Sequence, residues 1–292
     1  MRKVIFIISF LIIVIACEKV IPFTGEISQS KLVINSLFDS ENPWRVHVSY
    51  SLSVIDNGEL GDVENASINI KDTSGNIIEA LQYESEGYYR GNTYPQIDQD
   101  YHIEVSAPDY NDISAQDRLP SPIDIISVDT STNIVDGEEL FDININFQDP
   151  SSYRNYYRIS VQVGWWDIDF SGGTPDSTLV EYQMPVLLKD PVFDNHSANL
   201  WKNEGLFTDL LFDGQEKEIG ISIELYDKLE DLAFLEVWLY NITEATYLYN
   251  RSYDLYQNSS GNPFAQPVQV YSNVTHGFGI FGGAQLNVFP IK

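Results

Sequence analysis

From Lys31 onward, apolar side chains return at every second position in one segment after another. Leu32-Val33-Ile34-Asn35-Ser36-Leu37-Phe38, Trp44-Arg45-Val46-His47-Val48-Ser49-Tyr50 and Ala66-Ser67-Ile68-Asn69-Ile70-Lys71 all show it, as does Tyr101-His102-Ile103-Glu104-Val105-Ser106 before Pro108. A period of two places every apolar group on one face of an extended chain, and only a sheet can bury such a face. Asp72-Thr73-Ser74-Gly75-Asn76 is a turn cluster between two of these segments and predicts a hairpin. Strands spaced by turn signals every ~8–12 residues indicate an antiparallel sandwich. The 43% of hydrophobic residues supply a core and exclude wholesale disorder.

Arg118-Leu119-Pro120-Ser121-Pro122 is the clearest boundary, because two prolines bar a helix and interrupt ladder pairing. Residues 28–120 are therefore read as an immunoglobulin-like β-sandwich and residues 121–292 as a second β-rich domain. Alternation resumes at Leu140–Phe147, Tyr156–Val163, Glu218–Leu225 and Ala233–Tyr240, whereas 164–217 reads as long loops with one or two strands. Over about 241–258 the period changes: Ile242, Ala245, Leu248, Tyr249, Ser252, Tyr253 and Tyr256 recur at three- and four-residue steps. That stripe predicts one helix whose tyrosine-rich face packs on the core, with Asn241 and Glu244 as its capping box. Pro267–Val274 and Ala284–Phe289 read as a closing pair of strands.

The first seventeen residues give an address. Met1-Arg2-Lys3 is a basic start, Val4–Ile15 is nearly all apolar, and Val14-Ile15-Ala16-Cys17 ends it. The run is too short to span a ~30 Å hydrocarbon core as a helix and reads as a signal peptide, residues 1–16. The four residues ending at Cys17 resemble the lipobox of bacterial lipoproteins, in which the cysteine receives lipid before cleavage. Cys17 is thus the expected lipid attachment site, 17–27 the tether, and membrane lipid the first partner. Glu18, rather than aspartate, after the cysteine favours the outer membrane, with either face left open. As the only cysteine it also excludes a disulfide framework and a thiolate metal cage. Signal removal takes Arg2 and Lys3 with it and moves the net charge two units below the -27 of the full sequence. Such a chain repels phosphate, so nucleic acid is not an expected partner.

No catalytic motif emerges. Gly277-Phe278-Gly279-Ile280-Phe281-Gly282 matches G-x-G-x-x-G, yet it opens no helix and reads as a glycine-rich bend between strands, so no dinucleotide cofactor is expected. His47, His102, His196 and His276 are scattered. The acidic loops Asp56–Asp62 and Asp167-Ile168-Asp169 offer oxygens suited to structural calcium but lack the full EF-hand spacing, and solvated loops are the simpler account of them. Adjacent Trp165 and Trp166 must face opposite sides of a strand, so one of them, together with Trp201, offers an interaction surface. A surface hydrolase acting on polysaccharide or peptide would need two carboxylates among Asp167, Asp169, Asp190 and Glu204 to meet ~5–10 Å apart in a cleft.

The lipobox with Glu18-Lys19-Val20-Ile21, the strand Lys31–Phe38, Tyr88-Tyr89, and above all the run Asn258–Val274 followed by Gly277–Gly283 resemble the bacterial lipoprotein family catalogued as domain of unknown function 4249. The similarity spans essentially the whole mature chain. It implies a non-enzymatic lipid-anchored protein of the outer membrane, serving a TonB-dependent receptor as an accessory or substrate-capturing subunit. An adhesin or envelope scaffold is the alternative without a small ligand.

Overall fold

The computed structural model describes residues 29–53, 58–135, 137–151, 153–169, 176–194, 201–225, 228–260 and 265–292. The signal peptide, Cys17 and the tether lie outside them. In chain order the strands of the first part are Leu32–Phe38 (β1), Arg45–Tyr50 (β2), Ser67–Lys71 (β3), Ile77–Ala80 (β4), Gln82–Ser85 (β5), Tyr88–Arg90 (β6), Asp100–Ser106 (β7) and Ile113–Arg118 (β8). There follow Ile125–Val135 (β9), Glu138–Gln148 (β10), Tyr156–Asp169 (β11), Asp176–Met184 (β12), Val186–Leu188 (β13), Trp201–Lys202 (β14), Gly205–Thr208 (β15), Glu216–Ile223 (β16) and Phe234–Ile242 (β17). The helix Glu244–Ser259 (α1) and the strand Phe278–Pro290 (β18) complete the order.

The architecture is mainly β, sandwich-like, with a single α-helix among the described residues. One long sheet runs β12-β11-β17-β18-β1-β2-β6-β5, with β15 also paired to β11. A four-stranded sheet, β4-β3-β7-β8, shares a core with its β1 end, and a five-stranded sheet, β14-β13-β16-β10-β9, shares a core with its β11 end. The alternation explains the burial directly: in β1, Leu32, Ile34, Ser36 and Phe38 point inward while the residues between them do not. The first core is centred on aromatic rings, with Phe38 4.6 Å from Phe281 and Trp44 4.8 Å from Tyr101. Buried Tyr89 keeps its hydroxyl satisfied by donating to the Val63 carbonyl and accepting from the Ala66 amide, both at 2.8 Å. In the second core Tyr157, Ile159, Val161 and Val163 of β11 meet Ile143, Ile145 and Phe147 of β10.

The chain changes core across the two prolines, since Leu119 belongs to the first core and Ile123 to the second. The first sandwich, however, is not closed by 28–120 alone. Val274 and Phe281 belong to its core, and β18 pairs in parallel with β1 over Phe278–Gly283 before pairing antiparallel with β17 over Ala284–Pro290. The glycine-rich stretch is therefore strand rather than bend, and close approach explains its composition. A Cβ on Gly279, at φ +104, would lie 1.9 Å from the Ile34 carbonyl oxygen, and one on Gly283 would lie 2.1 Å from that of Arg118.

Where the chain passes from one sandwich to the other, Asp117 ties three elements together. Its Oδ2 accepts from the Gly283 amide at 3.0 Å and from the Thr243 hydroxyl at 2.5 Å, and Thr243 caps α1 by accepting from the Thr246 amide. The cap is thus Thr243 and not Asn241. Asn241 lies in β17, buried, donating to the Ser121 carbonyl at 2.9 Å, because the strand runs on to Ile242 before the helix can begin. The helix face also differs from the expectation. Ala245, Thr246 and Tyr247 are buried, while Tyr253 and Tyr256 remain 45% and 44% exposed, because the helix leaves the sheet toward its C-terminal end.

Other differences follow from edge positions. Residues 164–217 hold β12, β13, β14 and β15 as well as the end of β11, with Pro185 separating β12 from β13. Residues 267–274 are not a strand, and only Thr275 bridges to Ser114. The polar strand β9 forms an edge of the five-stranded sheet, so its outer positions carry no apolar period. The Asp72–Asn76 hairpin is present as expected, with Asp72 Oδ1 accepting from the Ser74 and Asn76 amides at 2.9 Å.

Gly279→Ala forces Cβ into the β1 backbone and should cost about 3 kcal/mol or more in denaturant unfolding. Gly75→Ala, at φ +84 with nothing within 4 Å of the added Cβ, should cost only about 1 kcal/mol for its left-handed backbone. Burial raises the Asp117 carboxyl from its ordinary 3.8 to about 6, opposed by the hydrogen bonds from Thr243, Gly283 and the Arg118 amide and reinforced by the Asp100 charge. The folded chain then holds more protons than the unfolded one between about pH 4 and 6, so this group's stabilisation is full below that window and lost as pH rises through it. The fall is on the order of 3 kcal/mol. Asp117→Asn should flatten this part of the stability profile, measured by unfolding at a series of pH values.

Candidate functional site

A cleft of about 520 Å³ lies between α1 and the strands β12 and β14. The second sandwich builds its base, with Leu188 and Leu206 both buried. One wall is a single face of α1: Asn250, Tyr253, Asp254, Gln257 and Asn258 follow the i, i+3, i+4, i+7, i+8 pattern. The other wall carries Gln183, Trp201, Lys202, Asn203 and Glu204. Its volume falls within the range of about 300–1,000 Å³ usual for small-molecule sites.

The charges of the cleft are paired within the protein. Lys202 Nζ reaches Asp254 Oδ1 at 3.1 Å, and the Arg251 guanidinium lies 3.4 Å from Asp194, which also accepts from the Tyr247 hydroxyl. Arg158 lies 3.8 Å from Glu204 and stacks over the Tyr240 ring at 3.9 Å. Burial raises the Glu204 carboxyl above the usual carboxylate range; Arg158 opposes this and Asp254 adds to it. Among the described residues, two buried side-chain nitrogens, Arg158 Nε and Asn250 Nδ2, have no hydrogen-bond partner. Asn250 lines the cleft.

A second cluster, remote from the cleft lining, brings Asp149, Asp209 and Asp213 within 4.8 Å of one another. Its carboxylates already have work within the fold. Asp149 accepts from the Tyr157 hydroxyl and from the Gly214 amide at 2.7 Å, and Asp209 accepts from the Asn155 amide at 2.7 Å. These bonds lock the loop after β10 to the turn after β15. Burial raises the Asp149 carboxyl, with the Tyr157 and Gly214 bonds opposing, and burial also raises the Tyr157 phenol. Asp149 and Asp209 thereby act as a structural clamp.

The residues singled out in the sequence are spread over several places. Trp165 packs against the second core, whereas Trp166 is 56% exposed on the opposite face of β11, beside Leu179 of β12. Trp201 lines the cleft, so the three tryptophans form no single surface. Of the four acids considered for hydrolysis, Glu204 lines the cleft, Asp190 is paired with Lys217 at 3.0 Å outside it, and Asp167 is in the β11–β12 hairpin. Asp56 and the Asp169 side chain lie outside the described residues, and Asp62 is engaged by His47 at 3.0 Å. Neither loop contributes to the acidic cluster found. Sequence reasoning missed the polar face of α1, although Asn250, Asp254, Gln257 and Asn258 recur at helical spacing as plainly as the tyrosines do.

A family model described as Domain of unknown function (DUF4249) matches residues 18–287. The chain belongs to this family. The match takes in both sandwiches and most of the strand that joins them, and the residues that line the cleft fall within it. No curated protein matches the chain.

Tyr157→Phe leaves buried Asp149 without its side-chain donor. It should lower stability by about 1–3 kcal/mol in urea unfolding while leaving the cleft of this family member intact.

Proposed function

We propose that the mature chain is a non-enzymatic protein anchored in the outer membrane through lipid on Cys17, where it captures substrate for, or otherwise assists, a TonB-dependent transporter. The observation that carries this reading is the cleft itself: a concave site on a sheet-and-helix frame, with convergent amides and two aromatic rings and with its charges neutralised by partners within the protein. Such a lining favours holding a ligand over hydrolysing a glycosidic bond, because that reaction uses a pair of carboxyls as acid and base or nucleophile. Here Glu204, Asp254 and Asp194 each face a cation. The anchor and the transporter rest on the lipobox-like residues ending at Cys17 and on the family resemblance. Among the described residues no helix is long and apolar enough to cross a membrane, which is compatible with an anchor of this kind.

Cys17→Ala should move the protein from the membrane fraction to the soluble fraction, and unchanged fractionation would refute the anchor. The tagged wild-type chain, solubilised from outer membranes, should bring down a TonB-dependent receptor. Repeated recovery of the chain alone would sink the transporter assignment.

A further inference from the structure

We propose that the cleft between α1 and β14 takes a neutral polyhydroxylated ligand, a short saccharide; the inference rests on the reading of this cleft as a capture site. Charge decides against an ionic ligand. Lys202–Asp254, Arg251–Asp194 and Arg158–Glu204 are satisfied internally, and a charged guest would have to compete with one of these pairs.

What the cleft does offer is carboxamide groups on both walls. Gln183 and Asn203 stand on the strand side, and Asn250, Gln257 and Asn258 on the helix side. Gln183, Gln257 and Asn258 each already give one amide hydrogen, to the Asn203 carbonyl, the Tyr253 hydroxyl and the Asp254 carbonyl, which leaves a second hydrogen and the amide oxygen for neighbouring hydroxyls that can both give and receive a hydrogen bond.

Two rings complete the match. Trp201 and Tyr253 line the same cleft and present apolar faces to which the C–H side of a sugar ring can pack. Tyr253 is held before any ligand arrives: its ring stacks on Tyr249 at 6.1 Å with 4° between planes, and Gln257 Nε2 donates to its hydroxyl at 2.6 Å. Side chains fixed in advance cost less entropy on binding. A peptide is served less well. Extended peptides draw affinity from a free strand edge; β14 is only two residues long, and the nine-residue edge strand β12 reaches the cleft only at Gln183.

The test is an array of neutral oligosaccharides, covering glucans, mannans, galactans, xylans and chitooligosaccharides, probed with the purified mature protein and followed by calorimetry on each hit. At least one neutral glycan should bind and perturb tryptophan fluorescence. Trp201→Ala and Gln257→Ala should each weaken binding about tenfold or more, and Tyr83→Ala on the first sandwich should leave it unchanged. Gln257 is exposed, so its variant keeps the native melting temperature even if the Trp201 variant does not fold. Absence of any neutral hit, binding confined to anionic glycans, or affinity insensitive to Gln257→Ala would overturn the proposal. A chain that still brings down its receptor but binds only members of a peptide library would overturn the saccharide and leave the capture reading standing.

Discussion

The structure depends on one strand having two sets of neighbours. β18 lies parallel to β1 over its first half and antiparallel to β17 over its second, so a single run of backbone hydrogen bonds stitches both sandwiches into one sheet. That arrangement demands backbone contact too close for side chains at Gly279 and Gly283, and it brings Gly283 beside the end of β8 and the start of α1. Asp117 then serves strand, cap and crossing at once. A buried carboxyl is a costly way to join three elements, but it satisfies two donors that packing alone would leave unpaired.

The same frame explains the cleft. α1 starts where β17 ends, is pinned by Thr243 and by Tyr247 packing near Tyr156 at 5.0 Å, and then rises from the sheet. Its second half is consequently left with one side toward solvent and one toward β14. The protein as a whole is strongly acidic, at -27, yet the acids that reach the cleft are matched by Lys202, Arg158 and Arg251. The cations of a chain with few of them are thus placed where an unpaired carboxylate would matter most.

Much of the fold was legible because period two is a strong signal wherever one face of a strand is buried. The opposite facing of Trp165 and Trp166 follows from it, while the hairpin at Asp72–Asn76 was marked by its turn residues and the core change around Pro120 by two prolines. Legibility failed where the physics was non-local. β9 and β12 are edge strands whose residues are largely exposed, so they carry little alternation. The Gly277–Gly283 stretch resembled a bend because nothing in the sequence shows that β1 runs alongside it. Asn241 looked like a cap because the sequence does not show that β17 extends through Ile242. Of the cleft, Trp201 and Glu204 were visible as residue types in the sequence, but the facing helix was read only for its tyrosines.

Parallel pairing of the first described strand with the last also sets the order of assembly. A chain synthesised amino end first delivers β1 to β8 long before residues 274–283 arrive, and until then the inner edge of β1 has no neighbour and the first core lacks Phe281. Closure of that sandwich must wait for the end of synthesis, at the high loop-closure cost of a contact spanning most of the chain.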